Sequence, residues 1–67
     1  MSAVEILMKA GLHRIADRLC TEKHLETMQD IALLSDEQID ELSWLTTVQR
    51  SKLKDLCEAC RQGDPDK

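Results

Sequence analysis

With 67 residues the chain has room for one small domain with a marginal core, because so short a chain buries only about 60% of its unfolded surface. Apolar residues make up 42% and charged residues 33%, which excludes disorder as the default, and a net charge of −4 argues against a general nucleic-acid binder. Two glycines, one proline and a single aromatic, Trp44, exclude a many-stranded β fold and leave the core to Leu, Ile, Val, Met, Ala and Cys.

Helix signals then recur at short intervals. Ser2 followed by Glu5 has the pattern of a capping box, after which Val4, Leu7 and Met8 repeat at i, i+3 and i+4. Gly11 stands where a helix ends in the left-handed conformation, with Leu12 as its apolar partner. Leu12, Ile15, Ala16, Leu19 and Cys20 form the clearest amphipathic stripe, on a second helix that fades near Lys23. Thr27 caps a short third helix with Met28, Ile31 and Ala32 inward. Ser35 and Gln38 box the start of a fourth, which ends near Leu42 with Ile39 and Leu42 inward. Thr46 and Gln49 open the longest helix, whose stripe is read as Val48, Leu53, Leu56, Cys57 and Cys60. Gly63, Asp64 and Pro65 stop it. The expectation is an all-α bundle of four short helices and a long C-terminal fifth, spanning residues 1–62, with a polar tail at 63–67.

Charge is distributed unevenly along these elements. Residues 1–21 sum to +1, residues 22–41 to −6 and residues 42–62 to +2. The middle of the chain is acidic and the last helix mildly basic. The longest apolar run, Ile31 to Leu34, is far short of the roughly 20 residues a membrane span needs, and no secretory signal is expected. Three cysteines, an odd count, favour reduced thiols and an intracellular location.

The order of residues resembles that of a known family. The stretch Leu7-Met8-Lys9-Ala10-Gly11-Leu12-His13-Arg14-Ile15-Ala16-Asp17-Arg18-Leu19 resembles the opening of sterile alpha motif (SAM) domains. Residues 25–42, with Ser35-Asp36-Glu37-Gln38-Ile39 at their centre, resemble that family's third and fourth helices. Thr46-Thr47-Val48-Gln49-Arg50-Ser51-Lys52-Leu53 is similar to the start of its fifth. The likeness covers residues 3 to 61, nearly the whole chain. It departs at Ile15, where an aromatic is usual, at Ser43 and Val48, where glycines are common, and at Trp44, which replaces a smaller aliphatic. The departures around the turn into the fifth helix bear on partner identity more than on fold.

The resemblance implies a protein–protein interaction module that pairs with itself or with another SAM domain. It places an acidic surface on Asp30, Asp36, Glu37, Asp40 and Glu41, and a complementary surface on Trp44, Leu45, Thr47, Val48, Arg50 and Lys52. Head-to-tail docking of the second surface on the first gives a homo-oligomer or polymer. Read alone, the acidic residues also suit a solvated helix face, with Asp36 and Glu37 favoured by the helix dipole. Arg50 and Lys52 gain nothing from that dipole, so they fit a negative partner better, although the long stem of Arg50 also suits a structural role covering apolar surface. Of Trp44 and Leu45, adjacent in a short loop, one is expected to remain open to a partner.

Cys20 with His24, and Cys57 with Cys60, offer four soft ligands on two helices, but the three cysteines lie on apolar stripes, where free thiols behave as small hydrophobes. No metal or other cofactor is expected. Neither a nucleophile–base pair nor a Gly-rich phosphate loop is present, and so small a helical domain has little room for a cleft; an enzyme is not expected. Two alternatives stand beside the interaction module. One is a hairpin-RNA binder using Arg50, Lys52 and Lys54, which the surrounding negative charge disfavours. The other is a structural unit packed within a longer protein.

Overall fold

Serine and threonine set four of the five helix starts in the computed structural model, which describes residues 2–63. The helices are α1 (Ala3–Lys9), α2 (His13–Lys23), α3 (Met28–Ala32), α4 (Asp36–Asp40) and α5 (Thr47–Arg61). Ser2, Ser35 and Thr46 each accept from a backbone N–H three residues on, satisfying donors that a helix start leaves orphaned. The expected all-α bundle with a long C-terminal helix is the observed one. Asp64 to Lys67, including most of the expected polar tail, lie outside the described residues.

The α1–α2 turn closes as the glycine predicts. Gly11 has φ +82°, its N–H donates to Met8 O, and the Leu12 N–H reaches back to Leu7 O. Those two bonds form a Schellman motif, with Leu7 and Leu12 both buried beneath it. The end of α2 makes a similar turn without a glycine. His24 takes φ +54°, a left-handed geometry that costs a residue with a Cβ about 1–2 kcal/mol. Leu25 repays this by burying its side chain while its N–H bonds Cys20 O. An antiparallel bridge between Ser2 and Thr27 then pins the start of α1 to the α2–α3 connection.

α5 packs on α3 and α4, and α1 packs on α2 and α3. Leu7, Leu19, Ile31, Ile39, Leu53 and Cys57 are fully enclosed where these helices meet. Two faces differ from the sequence reading. On α1 the inner positions are Ala3, Ile6 and Leu7, while Val4 is half-buried and Met8 exposed. Both registers satisfy the same spacing and share Leu7. The pinning of Ala3 N–H to Glu26 O rotates the helix by one residue from the expected face. On α5, Val48 does not join the inner stripe and is 63% exposed. It precedes Leu53 by five residues, which at 3.6 per turn puts it about 140° around the helix. Leu53, Leu56, Cys57 and Cys60 form the stripe as expected.

α4 runs antiparallel to α5. Asp36, at its start, lies near enough to Cys57 to act on its thiol, and Asp40, at its end, pairs with Arg50 and Lys54. The last turn of α5 is tied to α3 by Arg61, whose guanidinium donates to the carbonyls of Ala32 and Leu34.

Candidate functional site

The acidic block falls on the α2–α3 connection, α3 and α4, where its carboxylates divide into engaged and outward groups. Asp36, Glu37 and Glu41 are exposed. Asp30 is half-buried, and its Oδ2 accepts from the backbone N–H groups of Glu26 at 2.9 Å and Thr27 at 3.1 Å. Those two bonds hold its carboxyl below the usual carboxylate range. Asp40 is exposed yet partnered, with Oδ1 3.0 Å from Lys54 Nζ and 3.8 Å from Arg50 Nε. Asp30 therefore braces the entry to α3, and Asp40 braces α4 against α5.

The basic start of α5 divides in the same way. Arg50 lies beside the inner stripe, which half-buries its stem, and Nη2 donates to Leu42 O at 3.3 Å. Nη2 is thus engaged within the fold, while the buried Nε makes no hydrogen bond and lies 3.8 Å from Asp40 Oδ1. Lys52 is exposed, and its Nζ lies 3.4 Å from where a Cβ on Gly11 would stand, so its ammonium hangs over the α1–α2 turn. Thr47 and Val48 are exposed beside it, and Val48 and Lys52, four residues apart, share one face of the helix.

Trp44 and Leu45 resolve in one direction. Leu45, expected as a candidate contact residue, is 6% exposed and belongs to the core. It is corrected to a buried residue, because the loop must send one of its two large apolar side chains inward. Trp44 is half-buried and fastened to α2: its indole N–H donates to Glu22 at 3.0 Å, and the Arg18 guanidinium sits 4.4 Å over its ring. Arg18 and Glu22 are themselves paired at 3.5 Å. Only the i, i+4 pairing of these two charges was readable along the chain.

The thiols sit in apolar surroundings. Cys57 and Cys60 are buried and Cys20 half-buried. Burial raises all three thiols, Cys57 to about 11, and the neighbouring Asp17 raises Cys20 further. Among the described residues, no group of three or more His, Cys, Asp or Glu side chains is placed to hold a metal ion. Because folded Cys57 holds its proton more tightly than the unfolded chain, its contribution to stability is full below pH 9.0 and is lost as pH rises through about 11. Thermal unfolding followed across that window should show falling stability, with a shallower fall in Cys57→Ala. Equal slopes in the two proteins would show that the thiol is not the group responsible.

The residue that sequence reasoning missed is Leu33, at the end of α3, which is 79% exposed. Its neighbour Leu34 is buried, and the two adjacent leucines cannot both face inward. A shallow groove of about 170 Å³ runs beside it, between Lys23, His24 and Leu25 at the end of α2 and Asp30, Leu33 and Leu34. A second hollow, of about 400 Å³, lies between α1 and α2 beside Val4, Asp17, Cys20 and His24. Among the described residues no helix is long and apolar enough to cross a membrane.

No family model, no curated protein and no solved structure matches this chain.

Proposed function

We propose that this domain is a SAM-type protein-interaction module that associates head to tail with a second copy of itself or with another SAM domain. The basic start of α5, presenting Lys52 with Thr47 and Val48, docks on the acidic surface of Asp36, Glu37 and Glu41 in the next molecule. One observation carries this reading: the outward carboxylates Asp36, Glu37 and Glu41 belong to α4 and its C-cap, and the outward cation Lys52 to α5, so the two surfaces are unlike. A contact between unlike patches leaves one patch of each copy open, so it can repeat into a ring or a filament. The sequence resemblance supports it independently. Against the hairpin-RNA alternative stands the pairing of Arg50 and Lys54 with Asp40, which leaves Lys52 as the outward cation of that trio.

Exposed charge pairs contribute under about 1 kcal/mol each, so charge here steers and orients. Lys52→Glu is expected to disable one patch, and Glu37→Lys with Glu41→Lys the other. Asp40 is left alone because reversing it would break its pairs with α5. Each variant should be monomeric by light scattering, while an equimolar mixture forms a one-to-one dimer that weakens with salt. If the wild-type domain stays monomeric at millimolar concentration and low salt, self-association is wrong.

A further inference from the structure

We infer that the groove beside Leu33 is a docking site for an acidic segment of a partner protein, one that carries a leucine-sized aliphatic side chain between carboxylates. This surface lies apart from the start of α5, so the inference does not rest on the head-to-tail reading.

Among the described residues Leu33 is the most exposed large hydrophobic side chain, at 79%. The groove at its side runs between Lys23 and His24 at the end of α2 and Gln38 of α4, with Leu25 and Leu34 among its walls. Its volume, about 170 Å³, is below the roughly 300 Å³ of the smallest ordinary small-molecule sites. It therefore suits one side chain of a partner better than a cofactor. An aliphatic group entering it would lie against Leu33 and cover the apolar surface that the fold leaves in water.

Charge selects the occupant. Lys23 is half-buried yet makes no ion pair among the described residues. Arg61 bonds the carbonyls on either side of Leu33, and those carbonyls are neutral, so they leave its charge uncancelled. The carboxylate that lines the groove, Asp30, already accepts from the backbone N–H groups of Glu26 and Thr27. What α4 adds is Gln38, which is uncharged. A leucine set beside two cations favours a partner that sets an aliphatic group beside carboxylates. A phosphate chain would meet the cations and leave Leu33 in water. A plain apolar segment would exclude water from Lys23 and give its ammonium no partner. A segment with both groups meets both needs, as an apolar centre within a charged rim.

The probe is a fluorescein-labelled hexapeptide, Glu-Asp-Leu-Leu-Asp-Glu, titrated with the full chain at low salt and read by fluorescence polarisation. Saturable binding that weakens with salt is expected, and Leu33→Ser and Lys23→Glu should each weaken it about tenfold or more. Lys23→Gln, a milder second variant, should fall between Lys23→Glu and wild type. Replacing both leucines of the peptide by serine should cost about tenfold as well. Lys52→Glu should bind the peptide as wild type does, because Lys52 precedes Arg61 by nine residues on α5, about 14 Å along its axis. The readout follows the labelled peptide, so a domain that never self-associates leaves this test intact. No saturable binding at millimolar protein would overturn the site. So would binding unchanged in Leu33→Ser and Lys23→Glu, or a serine peptide bound as tightly as the leucine one. Binding lost only in Lys52→Glu would move the acidic partner to the start of α5 and overturn the groove as its seat.

Discussion

Replacing Leu53 by alanine is expected to cost about 2–5 kcal/mol, the largest loss of any single truncation on α5. Leu53 is fully enclosed on the face that α5 turns to α3 and α4, so truncating it removes buried methyl groups and leaves a cavity. For a domain of this length, with about 5 kcal/mol of total stability, such a loss leaves a large unfolded fraction at 37 °C. Each 1 kcal/mol lowers the melting temperature of so small a domain by about 4–8 °C, so the midpoint should fall by about 8 °C or more. The control is Val48→Ala on the same helix, expected to change stability by about 0.5 kcal/mol or less, because its side chain is 63% exposed. Urea unfolding read by the fluorescence of Trp44 measures both. Similar midpoints for the two variants would mean that the inner face of α5 is assigned to the wrong side.

The second large effect is expected at Arg61. Its guanidinium donates to Ala32 O at 3.0 Å and to Leu34 O, carbonyls at the end of a five-residue helix that has few bonds of its own. A short helix leaves most of its terminal carbonyls unpaired, so an outside donor matters more here than at the end of a long one. Arg61→Met keeps the apolar stem and removes the donors, and should cost about 1–3 kcal/mol. Arg61→Lys should recover only part of that, because one ammonium cannot serve two separated carbonyls as a planar fork does. Amide exchange gives the sharper readout: protection should drop first at Leu33 and Leu34, whose N–H groups close the end of α3. A melting temperature and exchange pattern unchanged in Arg61→Met would refute the brace.

The helices were legible because their signals are local. A serine or threonine followed three residues later by Glu or Gln marks α1, α4 and α5, and the apolar repeats of α2 and α5 follow the 3.6-residue period. Gly11 announced its turn for an equally local reason, the ease with which a residue without a Cβ takes positive φ. His24 gave no such notice. Its left-handed geometry is imposed by the burial of Leu25 and the bridge between Ser2 and Thr27, contacts that involve residues remote in the chain.

The candidate surface was legible as a set of charges and not as a surface. Counting along the chain locates the acidic middle and the basic fifth helix, but not which charges are already spent. Asp40 with Lys54 and Arg50, Trp44 with Arg18 and Glu22, and Arg61 with α3 all join residues eight or more apart. Leu33 facing solvent while Leu34 faces the core is a matter of helix rotation, which periodicity leaves ambiguous in a helix of five residues.

Fold class, helix order, most of the caps and the charge partition were determined by the sequence alone, since each depends on neighbours within about four positions. Tertiary structure decided the one-residue rotation of α1, the exposure of Val48 and Leu33, the burial of Leu45 and the commitment of Arg50, Lys54 and Trp44. The reason is physical: a helical period defines a face only to within a residue or so, and the neighbouring helix selects which face is buried.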